Sequence, residues 1–395
     1  MEEQRREPEP ALAGVGLLTR VERALSSGTA AYLPGDGWIR LTLPIEDGGP
    51  APLTVDVLAD AARPPHGIAY LLPGGGLNFT AAFHTEHRGF APGGGSLAGH
   101  LLHRGLLVVG VTPREDAATG ADALPADLGL AAHRRDLAGV VAALDSVLGL
   151  PYTYAGHSAG GALALDAASH DPSERLRRVL VLDTTGPYTG EAALRAAELR
   201  EVYEEQLARG VHAADPGLAA LVARAVSDPS GPSAVPWPPD PERRFTHAGL
   251  AHFALVRTAD LPGPANRIYR EGHAAGGYAF GATPAEDRFS LTHTTLETWH
   301  AATSALGSGL VPTALMRDLA AVWAGDGKTY RIGWERIRAE VVWINTELGR
   351  GDEPHGAELI RAAGNDRVRF GVVPGYGHGD ALWSATAAAD VWSRL

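Results

Sequence analysis

Four short apolar runs constrain this chain more than any other feature. They are residues 67–72 (GIAYLL), 106–111 (LLVVGV), 152–155 (YTYA) and 179–182 (VLVL). A strand with one wet face alternates polar and apolar residues. A run that stays apolar needs cover on both faces, as a strand inside a parallel sheet has. The segments between the runs carry helical spacing. Residues 127–148 put Leu130, Leu137, Val140, Val141, Leu144 and Leu148 on one stripe, and residues 96–103 and 159–169 read as shorter helices. Strand and helix in alternation predict an α/β fold, a mostly parallel sheet with helices on both faces. Ahead of it, residues 37–44 and 53–58 alternate around Asp47-Gly48-Gly49, the pattern of an antiparallel hairpin.

The alternation breaks off and then returns. Residues 1–36 form a tail and lead-in segment, with the charged first ten residues expected to be mobile. Residues 37–186 make the first part of the α/β core. Residues 187–335 read as a helical insertion, with amphipathic stretches at 191–209, 245–258, 291–306 and 311–324 and a Pro-rich loop at 229–241. Residues 336–395 complete the core with strands at 340–345 and 368–373 and helices at 354–363 and 381–395. The insertion carries Trp237, Phe245, Phe253, Tyr269, Tyr278, Phe280 and Trp299, expected to build its own small core, with some lining an apolar pocket.

Composition excludes several function classes. Lys and Arg number 34 against 46 Asp and Glu, a net charge of −12, and no basic cluster stands out, so no nucleic-acid partner is expected. The absence of cysteine removes disulfides, a thiol nucleophile and thiolate metal sites. No apolar stretch approaches the roughly 20 residues that span a bilayer, and the N-terminus lacks the form of a signal peptide. The expectation is a cytoplasmic protein without a membrane span.

Gly156-His157-Ser158-Ala159-Gly160 follows the apolar strand at 152 and opens an Ala-rich helix. A nucleophile held on so sharp a strand-to-helix turn needs neighbours without side-chain bulk, and the following helix aims its N–H groups at developing negative charge. With these residues the chain resembles the α/β-hydrolase superfamily over residues 37–395, the insertion lying where that family often carries a cap. The resemblance implies an oxyanion hole built from the N–H of Ala159 and of Gly75, with Gly76 beside it, in the run Pro73-Gly74-Gly75-Gly76. Pro73 stands where the family usually has histidine.

A serine hydroxyl needs a base. His378, in the loop Gly375-Tyr376-Gly377-His378-Gly379 after the last strand, occupies the family's position for it; His157 is not taken as the base. For the acid, Asp352 on the loop after the strand at 340 is the first choice, with Glu347 on the same loop and Asp183 at the end of the run 179–182 as alternatives. His84, Glu86, His87, His100 and His103 invite a metal reading but do not form a metalloprotease motif, and Pro92-Gly93-Gly94-Gly95-Ser96 lacks a P-loop ending, so Ser96 is read as a helix cap. Neither metal nor cofactor is expected. The implied activity is hydrolysis, through an acyl-enzyme, of a small-molecule carboxylic ester or lactone with a sizeable apolar part. The same triad serves thioesterases, peptidases, acyltransferases and C–C hydrolases, and the fold also has non-hydrolytic cyclases and ligand binders.

Overall fold

The computed structural model describes residues 11–25, 30–34, 37–85 and 95–395. The expected mobile tail and the run Glu86 to Gly94 lie outside them. The main sheet has nine strands. They are β1 (Ala31–Pro34), β2 (Trp38–Ile45), β3 (Leu53–Asp60), β4 (Gly67–Leu72), β5 (Leu106–Thr112), β6 (Tyr152–His157) and β7 (Leu176–Leu182), then, after six short strands outside this sheet, β14 (Glu340–Thr346) and β15 (Val368–Val373). Their order is β1-β2-β3-β5-β4-β6-β7-β14-β15. The first three strands and their junction with β5 are antiparallel, and β2 pairs with β3 from Trp38↔Asp60 to Ile45↔Leu53, the predicted hairpin. From β5 to β15 every pair is parallel. The unbroken apolar runs are explained: all six residues of β4 are buried, because helices cover both faces of the sheet.

The helices are α1 (Ala11–Leu25), α2 (Phe79–Phe83), α3 (Leu97–His103), α4 (Leu130–Leu148) and α5 (Ala159–His170) in the first part of the core, and α11 (His355–Ala362), α12 (Asp380–Trp383) and α13 (Ala387–Asp390) in the second. Ser96 caps α3 by accepting from Gly99 N at 3.1 Å, as its position predicts. Helix α1 was not expected. Leu17, Leu18, Val21 and Leu25 bury one face of it in the core that also holds α4, each full burial of a Leu or Val contributing about 1.5–3 kcal/mol.

Between β7 and β14 the chain leaves the sheet. It forms α6 (Gly190–Ala208), α7 (Leu218–Ser227), α8 (His247–Val256), α9 (Leu296–Ser304) and α10 (Thr313–Ala324). This helical cap is less purely helical than its sequence suggests. Three two-stranded ribbons interrupt it: β8 (Ala213–Ala214) with β13 (Val311–Pro312), β9 (Pro232–Trp237) with β10 (Asp240–Thr246), and β11 (Gly276–Ala279) with β12 (Arg288–Leu291). The second ribbon replaces the expected Pro-rich loop. Its register shifts twice, and its outer residues are exposed, a setting in which proline is tolerated. Trp237, Phe245, Phe253, Tyr278 and Phe280 gather into an aromatic cluster with ring centroids 5.2–6.3 Å apart.

The strand order also sets where a ligand belongs. The chain leaves β4 for β5 on one side, and leaves β6 for β7 on the other. The carboxyl ends of β4 and β6 therefore flank a crevice at the point where the winding reverses, the usual ligand site of such sheets.

Candidate active site

Ser158 stands at that crevice, on the turn between β6 and α5. Its backbone is held at φ 56°, ψ −122°, a region that side chains other than glycine rarely occupy. Two glycines make the turn possible. A Cβ on Gly156 would fall 2.0 Å from the Gly160 carbonyl oxygen, and one on Gly160 would fall 2.0 Å from the Leu72 carbonyl oxygen. The G-x-S-x-G spacing is therefore a steric requirement of packing α5 against the ends of β4 and β6.

The loop after β4 runs beside the serine. A Cβ on Gly74 would lie 3.1 Å from the Ser158 Cβ, and one on Gly75 would lie 4.0 Å from the Ala159 Cβ. Gly74, Gly75 and Ala159 line the cavity at the serine. Gly76 does not: it takes the left-handed conformation at φ 75°, and a Cβ there would fall 3.0 Å from Val311 Cγ2 and 3.1 Å from the Gly309 carbonyl oxygen. Ala159 begins α5, and the first N–H groups of a helix have no partner within it.

The expected pairing of His378 with Asp352 is not the one the chain adopts. His378 Nδ1 donates to Asp183 Oδ2 at 2.5 Å. Asp183 directly follows β7, is fully buried, and takes the left-handed conformation at φ 45°. Its second oxygen, Oδ1, accepts from the backbone N–H of Thr346 at 2.6 Å and of Arg350 at 3.2 Å. Gly349 leaves the necessary room, since a Cβ there would fall 2.1 Å from Asp183 Oδ2. Asp352 is exposed. The physical reason lies at the end of β14 and in the loop after it: they turn backbone N–H groups, not a carboxylate, toward the histidine's partner. Glu347 accepts from Gly375 N at 2.7 Å and so holds the turn that precedes His378.

The loop bearing His378 is fixed from three sides. Gly379 N donates to the His273 carbonyl at 2.7 Å, Asp380 accepts from Ala275 N at 2.7 Å and from Gly377 N at 2.8 Å, and His157 Nε2 donates to the His378 carbonyl at 3.0 Å. A carbonyl can only accept, so His157 carries its proton on Nε2, and its role is to brace the His378 loop. Burial depresses the pKa of His378 well below the usual histidine value, and the charges of Arg350 and His273 push the same way. Burial likewise lowers His157, and lowers His273 to about 4. Asp183 is raised by burial and held down by the Thr346 N–H and by Arg350. At neutral pH His378 is therefore an unprotonated imidazole with its Nδ1–H committed to Asp183, leaving Nε2 as its basic nitrogen.

Ser158 and His378 line one cavity of about 360 Å³, walled by the core below and the cap above. Leu218, Leu221, Trp299, Met316, Leu319 and Trp323 give it a largely apolar lining, with Gln206, Asn266 and Arg350 as polar points. Tyr269 packs edge-on against the His378 ring at 5.1 Å. Of the expected cap aromatics, Tyr269 and Trp299 reach this cavity, while the other five belong to the separate cluster. Arg350 is the functional-site residue that the sequence did not disclose: nothing in Gly349-Arg350-Gly351 indicates that its N–H supports an acid from another strand.

Among the described residues no group of three or more His, Asp or Glu is arranged to hold a metal ion. Glu86 and His87 of the candidate metal cluster lie outside those residues. His84 is buried between Phe79 and Trp38, and burial lowers it to about 4. Among the described residues no helix is long and apolar enough to cross a membrane.

No protein-family model matches the sequence, and no curated protein matches it. Solved structures do match. A "putative lipase" from Sulfolobus solfataricus superposes with a TM-score of 0.60 at 16% identity, over 93% of this chain and 97% of its own. A peroxisomal α/β-hydrolase from Saccharomyces cerevisiae gives 0.45 at 11% identity, over 90% and 83%, and a proline iminopeptidase from Mycobacterium smegmatis gives 0.42 at 15%, over 89% and 92%.

Proposed function

Because this chain has the α/β-hydrolase fold, we propose that it is a serine hydrolase that cleaves a carboxylic ester or lactone through an acyl-enzyme. The observation that carries the reading is the Asp183–His378 hydrogen bond, buried beside a strained serine in one cavity. A protein that only bound a ligand would need neither the strain at Ser158 nor a neutral histidine oriented by a buried carboxylate.

In this mechanism Ser158 Oγ attacks the carbonyl carbon while His378 Nε2 takes its proton. Asp183 fixes the tautomer and stabilises the imidazolium that forms. The N–H groups of Ala159 and Gly75 receive the oxyanion, where removing one donor typically costs 10²–10³-fold in rate. His378 returns the proton to the leaving oxygen, and water then cleaves the acyl-enzyme by the same steps. The apolar walls and the volume of about 360 Å³ favour a substrate with a sizeable apolar part.

Two experiments test this. A fluorophosphonate should label the protein once, and Ser158→Ala should abolish labelling; undiminished labelling of that variant refutes the nucleophile. Chromogenic acyl esters of graded chain length should then be hydrolysed with a preference for longer acyl groups. If these are inert while thioesters or aminoacyl amides turn over, the bond type is corrected and the triad stands.

A further inference from the structure

Ile268, Tyr269 and Arg350 wall the catalytic cavity, and they also wall a second cleft of about 190 Å³. The second cleft is lined by Arg195, Arg267, Arg270 and Arg350, with Glu353 as its one carboxylate. In a protein of net charge −12, four arginines around one small cleft invert the local sign. Arg195 is tied to Glu191 at 3.0 Å, which leaves three arginines facing one acid. Burial raises the pKa of Glu353, Arg270 opposes this, and the neighbouring Asp352 adds to it; even ionised, it is one carboxylate against three guanidinium groups.

Arg350 is the unusual member. It is 3% exposed, and its side chain donates to the Ile268 carbonyl at 3.2 Å, hydrogen-bonds Tyr188, stacks on Tyr269 and Trp323 at 4.8 and 5.1 Å from the ring centroids, and acts by its charge on the buried Asp183. Its Nε is buried without a hydrogen-bond partner. A buried donor left unsatisfied is costly, and a planar guanidinium is shaped to bind a tetrahedral or planar oxyanion. The backbone of the same residue supports Asp183, so the cleft and the catalytic acid share one residue.

We propose that this cleft is a binding site for a phosphate-class oxyanion, with Arg350 as its buried floor and Arg267 and Arg270 as its exposed rim. Such a group could come from a free phosphate ion or from the anionic end of a substrate whose acyl part fills the catalytic cavity. The site does not depend on the hydrolase reading, and the test keeps the two apart.

Full-length Ser158→Ala protein, which cannot turn over ester, is titrated with inorganic phosphate by isothermal calorimetry at low, fixed ionic strength, with chloride as control. The expected result is one saturable site for phosphate and none for chloride. The double variant Arg267→Gln/Arg270→Gln, both exposed positions, should weaken binding by about tenfold or more while keeping its melting temperature. On the serine-containing enzyme, phosphate that competes with a phosphorylated ester but leaves a neutral ester unaffected identifies a substrate tail. Phosphate that changes turnover of the neutral ester identifies a free effector. Heats indistinguishable from chloride, or unchanged affinity in the double variant, overturn the proposal.

Discussion

Replacing Asp183 by asparagine tests the proposed mechanism at its least obvious residue. The carboxylate divides its work: Oδ1 accepts two backbone N–H groups, from Thr346 and Arg350, and Oδ2 accepts the His378 Nδ1–H. An asparagine has one acceptor oxygen, and two fixed backbone donors claim it. Its NH₂ group must then face His378 Nδ1 and donate to it. That donation selects the tautomer with the proton on Nε2, the nitrogen that has to accept from Ser158. The variant keeps its shape and loses its base. The expected loss in kcat/KM is on the order of 10⁴-fold, as for a triad aspartate changed in this way, or about 5.4 kcal/mol of transition-state stabilisation. Asp352→Asn, at an exposed carboxylate, should stay within about twofold of the parent. Both are measured on one chromogenic ester, with circular dichroism melting to establish folding. A folded Asp183→Asn protein retaining more than about a tenth of the parent kcat/KM, or an equal loss in Asp352→Asn, refutes the reasoning.

Other outcomes follow from the same geometry. Because His378 must be neutral to act and its pKa is depressed, kcat/KM on a chemistry-limited ester should fall only as pH drops below 6.5, and a midpoint above 6.5 would contradict its burial. Folding stability should also decline below pH 6.5: the unfolded chain protonates His84 and His273 there while the native chain resists to about 4, at up to about 1.4 kcal/mol per unit for each histidine. His133, raised to about 9 by buried Glu115 despite its own burial, contributes in the opposite sense, its stabilisation being complete below 6.5 and lost as pH rises to 9. Urea titrations from pH 4 to 9 should therefore find a maximum near 6.5, and a curve rising steadily through that window would exclude this balance. Gly160→Ala, whose Cβ would strike the Leu72 carbonyl, should cost more than about 3 kcal/mol or prevent folding, whereas Gly139→Ala, exposed within α4 with nothing within 4 Å, should stabilise by up to about 1 kcal/mol. The same urea titrations compare the two.

The readable parts of the sequence were those where local sterics leave a mark. The buried strands announce themselves because cover on two faces demands apolar residues throughout. The serine turn does so because Gly156 and Gly160 have no space for a Cβ. The acid left no such mark. Asp183 follows its strand as many carboxylates do, and what distinguishes it is a left-handed backbone and three donors, two of them from the end of β14 and the loop after it, more than 160 residues later. Gly349, the residue that admits it, reads as an ordinary loop glycine. The ribbons of the cap were missed for a related reason. Pro232–Trp237 and Asp240–Thr246 are mostly exposed, so no burial pattern is imposed on them, and their pairing is held by backbone bonds that side-chain periodicity does not report.

The two ends of the cap lie together. A Cβ on Gly186, just before α6, would come 3.6 Å from the ring of Trp334, just before β14, and 2.6 Å from the Gly356 Cα at the start of α11. The two covalent connections between sheet and cap thus run through one narrow neck, with β7 and β14 already paired side by side beneath it. The catalytic aspartate proposed here sits three residues inside that neck. A cap of different length or shape could be grafted at this neck without disturbing the strand register, provided it supplies again the His273 carbonyl and the Ala275 N–H that hold the loop of His378. Any graft that pulls on Gly186, however, pulls on Asp183, and the junction would have to be chosen on the cap side of Pro187.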